Sequence, residues 1–405
     1  MISAKTPAVA SPLRQYFIVT GNYWAFTLTD GALRMLIVLH FHQLGYGALA
    51  IAMLFVFYEF FGVVTNLVGG WLGARIGLNR TMNIGLGLQL AALSMLLVPS
   101  AQLTVAWVMA AQALSGVAKD LNKMSAKSSV KLLVDDNAQD KLYRLVALLT
   151  GSKNSLKGLG FFLGGALLSL IGFHDAILVM LIALTMVWLS SVIFLKKDLG
   201  KSSFKPKFKD IFSKSRAINL LSAARLFLFG ARDVWFVIAL PVYLASEFGW
   251  SHWSVSSFLA LWIIAYGLVQ SIAPRITGSR TTGATADGQT ALSWALILAA
   301  IPAAIAIALT LDVAPLTSLL AGLILFGVVF AINSSLHSYL IVSYANSDAV
   351  SLDVGFYYMA NAMGRLIGTL LSGWLFQQYG LVACLWVSAL FIALAAVFSA
   401  RLPRR

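Results

Sequence analysis

The chain has 405 residues, 60% of them hydrophobic and only 11% charged, with a mean hydropathy of +0.85. A soluble protein carries about a quarter of its residues as Asp, Glu, Lys or Arg, so the composition excludes an ordinary water-soluble domain. The net charge of +14 would suggest nucleic acid in a soluble protein, but its placement, below, argues against that partner.

In chain order, Met1 to Leu13 is short and polar, with Lys5 and Arg14 as its basic residues, and no cleavable signal is expected ahead of the first apolar stretch. Apolar segments of spanning length then run over 16–42, 49–73, 81–99, 103–122, 143–171, 175–195, 217–246, 254–273, 291–310, 315–342, 354–378 and 380–400. About 20 such residues cross a hydrocarbon core as a helix, so the chain reads as an all-α membrane protein of about twelve transmembrane helices.

Basic residues fall on alternate connections. The segments 75–80, 123–142, 196–216, 274–290, 343–353 and the C-terminus hold Arg75, Arg80, Lys127, Lys131, Lys141, Arg275, Arg280, Arg401, Arg404 and Arg405, besides eight more basic residues within 196–216. The connections near 43–48, 100–102, 172–174, 247–253, 311–314 and 379 hold no Lys or Arg. Short cytoplasmic loops accumulate these residues, so both termini are expected in the cytoplasm. The basic stretch 196–216 reads as a cytoplasmic linker between a six-helix half at 1–195 and another at 217–405. An equally open reading makes it a basic surface helix against anionic lipid headgroups, through Phe204, Phe208 and Phe212.

A duplication supports the two halves. Residues 154–173 align without gaps to 362–381, pairing Gly160 with Gly368, Gly165 with Gly373, Gly172 with Gly380 and Lys157 with Arg365. Glycines at such spacing let helices approach closely in lipid, whereas a basic residue repeated in register is less expected from packing. Repeated halves with a site between them are the architecture of secondary transporters.

Ionisable residues inside the spans mark the candidate site. Each central charge costs about 2.5–3.5 kcal/mol on insertion scales, so such groups face water or one another. The candidate substrate contacts are Arg34, Lys119, Lys123, Lys153, Asn154, Lys157, Arg225, Arg232 and Arg365; the candidate coupling acids are Asp30, Glu59 and Asp233. Asp30 and Arg34 share a helix face at a spacing of four, as do Lys119 with Lys123 and Lys153 with Lys157. Like charges stacked on one face repel one another unless a multiply charged anion lies between them. Arg grips an oxyanion bidentately and Lys acts as a mobile point charge. The alternative, that these residues only pair and hold helices together, suits Arg225 and Arg232 beside Asp233, and Lys119 and Lys123 beside Asp120. Glu59 has no basic residue within a helical turn and is the better candidate for proton coupling. Tyr23, Trp24, Tyr358, Asn333 and His337 are further candidates to line a cavity.

The run GWLGARIGLNR (70–80) resembles the loop motif of the major facilitator superfamily, through Gly70, Leu72, Arg75, Gly77 and Arg80, with Ala74 where the motif has an acid. PRITGSR (274–280) is a weaker echo. The resemblance implies a major facilitator fold. More narrowly, residues 21–46, 66–89, 113–133 and 151–168 resemble the organoarsenical efflux permeases of bacterial arsenic-resistance operons, called ArsJ. That resemblance implies a bacterial inner-membrane exporter of 1-arseno-3-phosphoglycerate. It also implies a functional partner, the glyceraldehyde-3-phosphate dehydrogenase that makes the compound from arsenate.

The lone cysteine, Cys384, agrees with this: a carrier of trivalent arsenic needs several thiolates, whereas a pentavalent arsenate ester is an oxyanion. An organophosphate or carboxylate exchanger of the same fold is the alternative. There is no HExxH, no GxSxG and no paired-carboxylate motif at membrane depth, so no enzyme, metal or cofactor is expected.

Overall fold

The computed structural model describes residues 12–45, 54–134, 138–195, 199–203, 207–211, 215–250, 252–277 and 286–404. The helices are α1 Pro12–Gln43, α2 Val56–Ile76, α3 Leu78–Met95, α4 Val105–Leu132, α5 Gln139–Phe194, α6 Arg216–Phe236, α7 Ala239–Phe248, α8 His252–Ile276, α9 Gly288–Thr310, α10 Pro315–Tyr344 and α11 Val350–Ser399. The described residues contain no strand. Six stretches are apolar and long enough to cross a membrane by composition alone: α5, the joined α6 and α7, the 257–276 part of α8, α9, α10 and α11. α1 and α4 fall outside that set because they carry polar and charged residues, including Asp30, Arg34, Lys119 and Lys123, which line an internal cavity.

Two glycines turn long helices into hairpins. Gly172 (φ 80°, ψ −179°) interrupts α5 and Gly380 (φ 74°, ψ −175°) interrupts α11, a backbone region open mainly to glycine. The chain reverses at each. Beyond Gly172, Phe173 stacks on His40 of α1 at 4.1 Å, and Phe194 O returns to accept from Gln15 Nε2 near the start of α1. Beyond Gly380, Ser388 Oγ donates to Ala231 O on α6. Counting the two hairpins, and α6 with α7 as one pass, the described helices make twelve passes. The segment expected as one helix over 217–246 is broken at residues 237–238, and Ser372 Oγ satisfies the freed N–H of Ala239.

The duplicated glycines do equivalent work. A Cβ at Gly160 would lie 2.6 Å from Leu28 O and 3.1 Å from the Cα of Gly31 on α1. At the equivalent Gly368 it would lie 2.6 Å from Gly230 O and 3.1 Å from the Gly230 Cα on α6. Backbone thus meets backbone between α1 and α5 and again between α6 and α11. Glycine contacts of the same kind join helices before the linker to helices after it, Gly70 with Gly355 and Gly151 with Gly267.

The linker runs across one end of the bundle. Leu199 O accepts from Leu78 N and Ala74 O accepts from Ser202 N, tying it to the α2–α3 turn. Ser203 donates to Asp348, between α10 and α11, through both N and Oγ at 2.8 Å, and Ser202 Oγ donates to the same carboxylate at 3.3 Å. These hydrogen bonds hold the exposed Asp348 carboxyl below its usual range. Phe208 packs edge-on against Trp71 yet stays 63% exposed; Phe204 and Phe212, like Lys196, Lys197, Lys205, Lys214 and Arg280, lie outside the described residues. The bundle is sealed at this end. Lys131 Nζ donates to Ser343 O and Ala345 O, Gln139 Oε1 accepts from Tyr339 and Ser343, and Tyr143 stacks on Tyr339 at 4.6 Å.

One expectation is corrected here. Lys127 and Lys131 are not in a connection, because α4 continues to Leu132; Lys127 is buried. The helix persists inside the bundle because both lysines find acceptors there, Lys127 at Thr150 Oγ1 and Lys131 at Ser343 O and Ala345 O.

The glycine contacts are directly testable. A Cβ at Gly364 would sit 2.0 Å from Leu226 O, whereas at Gly165 its nearest neighbour is a leucine methyl at 3.6 Å. Gly364→Val should cost about 3 kcal/mol or more by forcing α6 and α11 apart, and Gly165→Ala less than about 1 kcal/mol. Monodisperse yield in detergent reads the difference, and equal yields would show that the backbone contact is not needed.

Candidate functional site

A cavity of about 370 Å³ lies between the helices before and after the linker. Its walls come from α1, α2, α4 and α5 on one side and from α6, α8, α10 and α11 on the other. It extends from Lys127, Thr150 and Ser334, near the sealed linker end, to Phe236, Val237 and Leu259, nearer the opposite end.

Every residue selected from the sequence as a substrate contact or coupling acid lines this cavity: Arg34, Lys119, Lys123, Lys153, Asn154, Lys157, Arg225, Arg232, Arg365, Asp30, Glu59 and Asp233. With Lys127 and Asp120, the lining holds nine basic and four acidic side chains, so basic groups outnumber acids by five. Guanidinium and ammonium groups at this density, partly shielded from water, suit an oxyanion and repel a cation.

The pairing is not the one that helical spacing suggests. Asp30 does not pair with Arg34, four residues on. It accepts from Tyr58 Oη at 2.7 Å and lies 4.0 Å from Lys157 Nζ. Arg34 reaches Glu59 at 3.4 Å and lies over the rings of Phe55 and Tyr58. The phenol of Tyr58 takes the carboxylate on the same face, and the guanidinium turns to α2 instead. Glu59, without a basic residue in its own helical turn, has two in space, because Arg365 of α11 approaches it at 3.8 Å. Asp233 is fully buried between Arg232 at 2.5 Å and Arg365 at 2.9 Å. Asp120 lies 2.5 Å from Lys123 and 3.8 Å from Lys119, and Lys119 Nζ also sits 3.8 Å above the Tyr58 ring.

Arg225 has no carboxylate partner among the described residues, although Asp233 is two turns away. Its Nε donates to Asn361 Oδ1 at 2.9 Å and its Nη1 to the Ser334 carbonyl and hydroxyl at 3.2 Å, with the Phe229 ring 3.9 Å beneath the guanidinium. Asn154 Nδ2 donates to Gln270 Oε1, joining α5 to α8 across the cavity.

Other candidates divide. Tyr23 and Tyr358 line the cavity. Trp24 does not; it donates to Ser152 Oγ and is 37% exposed. Asn333 and His337 are buried away from the lining, with Asn333 Nδ2 on Trp294 O of α9. Lys127 was hidden by its place in a hydrophilic run, although Lys119, Lys123 and Lys127 recur every fourth residue and so share one face of α4.

Comparison with known proteins agrees with this architecture. A family model described as the Major Facilitator Superfamily matches residues 16–291. No curated protein matches the sequence. Among solved structures, the human organic anion transporter MFSD10 (TETRAN) superposes with a TM-score of 0.74 at 16% identity, covering 96% of this chain and 99% of that one. A bacterial homologue of the iron transporter ferroportin in an outward-facing state gives 0.75 at 15%, covering 96% and 99%. The FucP transporter in the outward conformation gives 0.74 at 12%, covering 96% and 99%. At such identities the likeness is one of fold.

The charge pairs should differ in what they contribute to stability. Asp233 is 0% exposed and held by two arginines, so Asp233→Ala, which leaves both without it, should cost about 3 kcal/mol. Glu59 and Arg365 are 35% and 37% exposed, so Glu59→Gln should cost within about 1 kcal/mol, and less at high salt. Thermal unfolding in one detergent checks the ranking; a larger loss for Glu59→Gln would contradict it.

Proposed function

Because the chain belongs to the major facilitator superfamily, we propose that it is a secondary active exporter of a small, multiply charged anion, the organoarsenical 1-arseno-3-phosphoglycerate. The observation that carries the anion reading is the excess of nine basic over four acidic side chains in one cavity between two sets of helices. The volume of about 370 Å³ is near the lower end of the range of about 300–1,000 Å³ for ligand pockets, which suits a three-carbon ester. Cys384 is buried in α11 and is not part of the lining, so the cavity offers no thiolate to a trivalent metalloid. The narrower identity is supported by the resemblance of residues 21–46, 66–89, 113–133 and 151–168 to ArsJ permeases.

In this reading residues 1–195 and 217–405 rock about the central cavity, loading the anion from the linker side and releasing it opposite. The substrate displaces Glu59 from Arg34 and Arg365, so that cations first engaged with an acid of the protein turn to the anion. Asp30, Glu59 and Asp233 are the groups through which a coupling ion would act. The dehydrogenase supplies substrate and need not touch the permease. The membrane is the bacterial inner membrane, with both termini cytoplasmic.

Co-expression with the dehydrogenase in an arsenic-sensitive host should confer resistance to arsenate and none to arsenite. Equal protection without the dehydrogenase would sink the organoarsenical reading and leave an organophosphate or carboxylate exchanger as the next to test. Orientation has its own measurement. A tag after Arg404 should be protected in intact cells, and a cysteine replacing Leu44 (55% exposed) should be labelled from outside. Labelling both from the same side would overturn the orientation.

A further inference from the structure

The cavity is charged unevenly along its depth. Six of its nine basic side chains lie within 4.0 Å of a carboxylate, and together they engage all four acids of the lining. Lys127, Lys153 and Arg225 have no such partner among the described residues. Lys127 bonds Thr150, one turn before Lys153 on α5, and meets the same stretch of α11 as Arg225, Lys127 at the Tyr358 ring and Arg225 at Asn361. All three line the cavity, so they lie together without a counter-charge.

Their donors are also underused. Lys127 Nζ donates once, to Thr150 Oγ1 at 2.6 Å, and faces the Tyr358 ring at 5.2 Å. Lys153 makes no hydrogen bond among the described residues. Arg225 spends Nε and Nη1 on Asn361 and Ser334, leaving Nη2. The hydroxyl of Tyr23, a residue only 2% exposed that lines the same cavity, has no hydrogen-bond partner among the described residues. Donors left over without acceptors call for a ligand made only of acceptors, and a doubly ionised tetrahedral oxyanion is such a ligand.

We propose that Lys127, Lys153 and Arg225 form the primary subsite for one phosphate- or arsenate-type head group, and that a head bound there draws the two sets of helices together at the linker end. The proposal rests on the anion-export reading and adds a residue, a depth and a direction to it. Lys127 and Lys153 precede the linker and Arg225 follows it. One turn beyond Lys127, Lys131 donates across the divide to Ser343 O and Ala345 O, so the subsite stands directly on the seal. Filled, it links the two sides; empty, its like charges push the seal open and return the carrier to the loading side.

The test uses the purified full chain with two probes, inorganic phosphate and glycerate 3-phosphate, read by calorimetry and by the rise in unfolding temperature on adding probe. Lys127→Gln, Lys153→Gln and Arg225→Gln should each weaken glycerate 3-phosphate binding about tenfold or more. Lys119→Gln, whose charge Asp120 already offsets, should weaken it less. Without probe, Lys127→Gln and Lys153→Gln should unfold at the same temperature as the parent or higher, because repulsion is relieved. Lower unfolding temperatures for both would assign them a structural role and overturn the proposal. Unchanged binding in all three variants, with the parent binding both probes, would overturn the subsite while leaving the anion reading intact. A parent that binds neither probe would remove the anion reading and the subsite with it.

Discussion

A charged side chain at the centre of a membrane helix costs about 2.5–3.5 kcal/mol on insertion scales, and thirteen ionisable groups line one cavity in this chain. The cost is tolerable only if water reaches the groups or if each finds an opposite charge, and the arrangement uses both. The four acids are spread so that each serves a cation on another helix or an adjacent turn, from Asp30 beside Lys157 to Asp233 between Arg232 and Arg365. Such contacts need helix axes held to within a fraction of an ångström. The backbone contacts at Gly160, Gly164, Gly364 and Gly368 supply that precision, since no side chain intervenes to give way.

Much of the fold was legible in the sequence, because lipid imposes a length on every span and charge marks the turns between them. The repeat was legible too. Gly172 and Gly380, aligned by sequence alone, adopt nearly the same backbone angles, and Lys157 and Arg365 both reach the cavity. The pairing inside the cavity was not legible. Spacing along one helix favoured Asp30 with Arg34, but a tyrosine from α2 takes the carboxylate, and the true partners of Glu59 sit on α1 and α11. No one-dimensional signal brings such distant residues together. Lys127 was misplaced for a different reason: hydropathy treats a polar run as a connection, while a helix lining a watery cavity can stay polar to its end.

The same chemistry bears on selectivity. On the proposed reading, surplus guanidinium and ammonium groups would repel cations before any contact forms. Among anions such a cavity would favour those with several charges, because each paired cation released from its acid must be offset by the incoming ligand. Shape then acts within that class, through Asn154, Gln270 and the aromatic walls at Phe229 and Trp262.

The strap formed by residues 199–203 bears on speed. Its bonds to Leu78 and Ala74 lie before the linker, and those to Asp348 lie beyond it, so the strap spans the seam that must part when the linker end opens. Opening therefore passes through rupture of the Ser202 and Ser203 bonds, a barrier remote from the substrate and indifferent to its identity. Turnover would then be paced by a surface loop that never meets the substrate, and removing the Asp348 carboxylate would quicken the opening step while leaving affinity as it was.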